Sequence, residues 1–188
     1  MKLRETEHQP NRWKSFVLGI TGGAAGVAAM GYYWRAVTSL TGADPRQATN
    51  TSGPHALDDI AVAGQHHQQG ESSTAAVGRI ADEAATGKEP KKETKETLSN
   101  VVHWGYGTLI GGVYGAARGA AAPAPDVLGG LTYGAGVWLF GSELAVPLLG
   151  LAPGPTTQPL SSHAYALGAH FVYGLTTAAV TQVLYRLL

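Results

Sequence analysis

The chain has 188 residues, 13 basic and 13 acidic side chains, no cysteine and a mean hydropathy of −0.02. Zero net charge without a basic stripe excludes a nucleic-acid binder, and the lack of cysteine excludes a disulfide framework, a thiol nucleophile and a cysteine-based zinc site. The averages mix two populations. All but two of the acidic residues precede Val101, whereas the stretch from Val101 to Leu188 holds only Arg118, Asp126, Glu143 and Arg186 as charges. A soluble surface cannot be covered so sparsely, while lipid requires such scarcity.

The first apolar run, about 16–34, is bracketed by Arg12, Trp13 and Lys14 and by Tyr32, Tyr33, Trp34 and Arg35. Aromatic and basic residues at both ends are the anchors expected at two bilayer interfaces. Lys2, Arg4, Arg12 and Lys14 ahead of an apolar run also fit a signal peptide. The run ends in aromatics rather than in a small-x-small cleavage site, and its pattern reappears downstream, so the expectation is a retained span.

A polar loop, 41–97, follows. Its first part reads as irregular. Glu71-Ser-Ser-Thr offers an N-cap for one short amphipathic helix, about 73–86, closed by Gly87. Ala76, Val77, Ile80, Ala81, Ala84 and Ala85 fall on its apolar face, and Arg79, Asp82 and Glu83 on its polar one. Pro90 suits a first helical position and Lys92/Glu96 adds an i,i+4 pair. From Pro90 to Ala117 glycine is the only breaker, which predicts a continuous helix rising out of the bilayer. The second span is about 98–117, and an Ala/Pro linker, Ala120–Asp126, leads to a third at 127–149. The proline-rich turn 150–162 precedes a fourth at about 164–187. Each is long enough to cross ~30 Å of hydrocarbon at ~1.5 Å per residue. The expected fold is an all-α membrane protein of four transmembrane helices in a single domain.

The spans repeat. Val17–Gly31 matches Val127–Gly141 at seven of fifteen positions, and His103-Trp-Gly-Tyr-Gly107 echoes His170-Phe-Val-Tyr-Gly174. These matches predict a duplicated helical hairpin in parallel orientation. Gly107, Gly111 and Gly115 lie on one face of the second span, with Gly19/Gly23 and Gly22/Gly26 in the first and Gly130/Gly134 in the third. Small residues at this spacing let helix backbones meet in lipid, within the bundle or between copies in a homo-oligomer. Basic residues near the spans number six on each side. The long loop is discounted in such a count, which favours both termini in the cytoplasm.

Ionisable residues inside spans mark candidate sites. His103, Glu143 and His170 all fall roughly 7–9 Å from the middle of their spans, in the half nearer the long loop. Tyr106 and Tyr173 lie a turn deeper and His163 nearer the surface. Two imidazoles and a carboxylate could bind a divalent metal, relay protons, or pin three helices by hydrogen bonds. Buried polar groups in membranes act most often as glue, so pinning leads. In the loop, His55, Asp58, Asp59, His66 and His67 match no defined metal spacing, so no metal, cofactor or enzymatic activity is expected. Phosphate loops, H-E-x-x-H and G-x-S-x-G are missing from the sequence.

Gly70-Glu-Ser-Ser-Thr-Ala-Ala-Val-Gly-Arg-Ile-Ala, Thr86-Gly-Lys-Glu-Pro90, Val102-His-Trp-Gly-Tyr-Gly107 and Tyr114-Gly115 resemble the YagU-like family. So do Trp138-Leu-Phe-Gly-Ser-Glu-Leu-Ala-Val-Pro147, Leu149-Gly-Leu151, Gly168-Ala-His170 and Tyr173-Gly174. The resemblance runs from about Glu71 to the C-terminus. It implies a small, multi-pass protein of the bacterial inner membrane and carries over no catalytic residue. The expected function is a structural or accessory bundle, or a small subunit of a larger membrane complex. The alternative is a proton- or small-solute-conducting protein using His103, Glu143 and His170.

Overall fold

The computed structural model describes residues 11–51, 53–118 and 125–188. Lys2, Arg4 and most of the linker Ala120–Asp126 lie outside them. The described residues form five helices and no strand. They are α1 (Arg12–Thr41), α2 (Ser73–Thr86), α3 (Lys92–Arg118), α4 (Val127–Gly136) and α5 (Leu160–Leu187). α4 continues through a π-helical stretch, Val137–Ala145, into a last α-helical turn, Val146–Leu148.

Local chemistry sets the ends. Asn11 Oδ1 accepts the N–H groups of Trp13 and Lys14, both at 3.1 Å, and Gly42 closes α1 at φ +74°. Ser72 Oγ accepts the Ala75 N–H to start α2. α3 is one uninterrupted helix of 27 residues, but it begins at Lys92, so Pro90 stands before the helix rather than in its first turn.

Glycine governs the packing. α3 runs antiparallel along α1, with Gly107, Gly111 and Gly115 against Gly19, Gly23 and Val27. A Cβ on Gly111 would stand 2.5 Å from Gly23 Cα and 2.7 Å from the Gly19 carbonyl oxygen. On the other flank of α1, Gly22 and Gly26 receive Thr177, Thr181 and Tyr173 of α5. Gly130 and Gly134 of α4 meet the α5 backbone at Gly174 and His170. The helices therefore lie in the order α3, α1, α5, α4. The row curls until Tyr114 of α3 meets Tyr133 of α4, ring centroids 4.8 Å apart. Nearer the loop end, α3 and α4 diverge around an open groove of about 390 Å³ lined by Tyr106, Ile110, Tyr133, Val137 and Phe140.

α2 docks on α3, with Ala76 alone of its apolar face buried. It buries Ala76, Gly78 and Arg79 and leaves Val77, Ile80, Ala81, Ala84 and Ala85 outward. Gly78 sits against Leu98 of α3, where a side chain has no room. The Arg79 guanidinium can be buried because Glu71 at 2.9 Å and Glu83 at 3.3 Å neutralise it.

The irregular part of the loop folds down as a cap on the turn after α4. Val62 N–H donates to Leu148 at 2.9 Å, His66 and His67 to Gly150 at 2.8 and 2.9 Å, and Asn50 to Thr157 at 2.7 Å. Gly154 N–H returns a bond to Asp58 at 2.8 Å. Gly150, at φ +67°, is required here, since a Cβ would collide with the Gly64 carbonyl. By length and apolarity, one described helix, α1, passes as able to cross a membrane.

Candidate functional site

The cap end of the bundle collects the polar residues. Glu143 projects from the π-helical stretch and His163 from the first turn of α5. His163 Nδ1 lies 2.9 Å from Glu143 Oε1, and its Nε2–H donates to the Pro155 carbonyl at 2.8 Å. Both side chains are nearly closed to solvent, 17% exposed for His163 and 16% for Glu143. His170 Nδ1–H donates to the Ala166 carbonyl one turn back at 2.8 Å. Its ring lies within electrostatic reach of His103 and Glu143, and His103 lies within reach of Arg46. The Arg46 guanidinium is itself bound to Asp44 at 2.6 Å and stands 5.0 Å over the Trp34 ring.

His170 thus lies within electrostatic reach of both His103 and Glu143, yet the hydrogen-bond partner of Glu143 is His163. The sequence set His163 apart because it started the last span at about 164. The helix begins at Leu160 and carries His163 inward.

The tyrosines form a second group. Tyr173 OH donates to the Gly107 carbonyl at 2.7 Å and accepts from Tyr133 OH at 3.0 Å. Tyr173 is therefore spent on joining α5 to α3, and Tyr106 lines the groove instead. Tyr133 was missed from the sequence. Its signal was the repeat itself, where Val17–Gly31 set on Val127–Gly141 places a tyrosine opposite Gly23.

At the opposite end, Asp126 is 4% exposed and ties three helices. Its carboxylate accepts Tyr114 OH at 2.7 Å, Arg118 Nε at 2.7 Å and Nη2 at 2.9 Å, and the Gly129 N–H at 3.0 Å. Its own N–H donates to Gln182 Oε1 of α5 at 3.2 Å. Hydrogen bonding to Arg118 outweighs burial and holds the Asp126 carboxyl below the usual carboxylate range.

The loop set is spent on structure. Asp58 accepts the His55 N–H and the Thr156 hydroxyl, each at 2.6 Å. His66 donates to the Ala63 carbonyl at 2.8 Å and His67 to Gly150 at 3.1 Å. Among the described residues, no three His, Asp or Glu side chains gather as a metal site. Compared with protein-family models, curated proteins and solved structures, the chain matches none.

Proposed function

We propose that this chain is a multi-pass protein of the bacterial cytoplasmic membrane that serves as a structural or accessory bundle, alone as an oligomer or as a small subunit of a larger complex. Four helices cross the bilayer in this reading, over about 16–34, 98–117, 127–149 and 164–187, with both termini cytoplasmic. The likeness to the YagU-like family belongs to the same proposal. The observation that carries it is the outer surface. Leu109, Val113, Leu128, Phe140 and Val183 are each more than half exposed, on helices whose charges sit near their ends or are paired inside. Water penalises exposed apolar side chains in such number and lipid does not. α2 adds to this, because its outward apolar residues lie at the level of Leu98, where the second span begins.

The structural role is supported by where the polar groups go. Glu143, His163, Tyr133 and Tyr173 all satisfy one another or a nearby carbonyl, and the glycine crossings leave backbone against backbone. The electrostatic reach of His170 to both His103 and Glu143 favours the conducting alternative. Reconstitution in liposomes separates the two. A structural bundle leaves an imposed pH gradient intact. Dissipation by the native protein that Glu143→Gln alone stops replaces the structural reading with conduction.

A further inference from the structure

We infer that Glu143 and His163 form a one-proton binding site whose occupancy latches the end of α4 to α5 and to the cap. The argument is a count of donors. A carbonyl oxygen only accepts, so the 2.8 Å contact with Pro155 fixes a proton on His163 Nε2. A neutral ring then has a bare lone pair at Nδ1. That lone pair faces a carboxylate oxygen at 2.9 Å, a distance that requires a proton between the two. Whether it rides on Nδ1 or on Glu143 Oε1, the pair holds one proton beyond the one on Nε2, and the couple is neutral. When the proton leaves for water at the cap face, where both side chains keep some exposure, the couple becomes a monoanion. The neutral ring then has one proton for two acceptors, the Glu143 carboxylate and the Pro155 carbonyl, so one of the two bonds breaks.

The position makes that bond a latch. Glu143 sits in the π-helical stretch, a rare geometry that marks functional segments. The close glycine contacts of α4 on α5 are at Gly130 and Gly134, two turns earlier. Pro155 belongs to the turn that the cap grips through Asn50 to Thr157, Asp58 to Gly154 and Thr156 to Asp58. One proton therefore joins the π-helical stretch, the start of α5 and the cap turn. The titratable group within electrostatic reach of the pair is His170 on α5; beyond it follow His103 on α3, then Arg46 with Asp44 at the base of the cap. Asp58 lies behind Thr156, and Tyr33 of α1 beside Tyr165 of α5. The inference goes beyond a structural role and holds whether or not the protein conducts.

The test uses full-length protein in detergent micelles. Emptying the site by raising the pH should lower the thermal midpoint of the native chain by about 3 °C or more. In Glu143→Gln the amide N–H donates to Nδ1 with no added proton, so that variant should lack this fall. The difference between the two isolates the site from the other histidines. Equal pH dependence in both overturns the inference. If Glu143→Gln fails to fold, the ring nitrogen-15 and Glu143 carboxyl carbon-13 resonances of the native protein decide. At about pH 6, a proton on Nδ1 or on the carboxyl supports the site, whereas a neutral ring beside a bare carboxylate overturns it.

Discussion

Asp126 is where a single side chain holds most. It joins α3 through Tyr114 and Arg118, caps α4 at Gly129, and meets α5 through Gln182. Asp126→Ala strands the Tyr114 hydroxyl and the Arg118 guanidinium, at a cost of about 2–3 kcal/mol, which a thermal melt reads as several degrees. The sign of its pH dependence follows from the depressed carboxyl. Its contribution is full above the ordinary aspartate range near ~3.9 and is lost as pH falls through the lower folded value. Acid titration followed by melting should show that loss in the native chain and not in Asp126→Asn. The rarity of charge after Val101 made Arg118 and Asp126 visible as residues. Their pairing was not visible, because no periodic pattern in the amino-acid order between them says that the end of α3 and the start of α4 meet.

At the scale of the helix, glycines divide into those that touch backbone, those that touch side chains and those with open space around them. Gly111→Ala pushes a methyl against Gly23 Cα and the Gly19 carbonyl, so α1 and α3 must part, at about 1–3 kcal/mol. Gly105, on the same helix, has open space around it, so Gly105→Ala should leave the thermal midpoint unchanged or raise it. Glycine spacing, apolar runs and caps are local features, and for that reason the amino-acid order alone displays them. The crossings of the two hairpins also correspond. Gly19 on Gly111 and Gly23 on Gly107 recur as Gly130 on Gly174 and Gly134 on His170. They do so one residue along from the sequence match on α4 and one turn back on α5, since packing follows small residues wherever they fall. The π-helical stretch and the docked face of α2 had no local signal. The hydrophobic pattern alone turns Val77 and Ile80 inward, whereas the paired Glu71 and Arg79 take the buried side.

The whole molecule is an up-and-down bundle with two chemically distinct ends. One end carries the cap and the α4–α5 turn, locked together by backbone bonds between Asn50, Val62, His66, Leu148, Gly150 and Thr157. The other carries the start of α1, the Arg118–Asp126 pair and the end of α5, where Lys14 sits 5.4 Å over the Tyr185 ring. If all four long helices cross the bilayer, these ends lie on opposite sides. If α1 alone crosses, everything after it lies on one side. The chain has no cysteine, so single cysteines report without background. Ala63→Cys and Gln158→Cys mark the cap end, and Pro125→Cys and Leu188→Cys the other. In intact membranes, a membrane-impermeant maleimide should label one pair and leave the other for permeabilised membranes. Labelling of all four residues from the same side would contradict the four-span account.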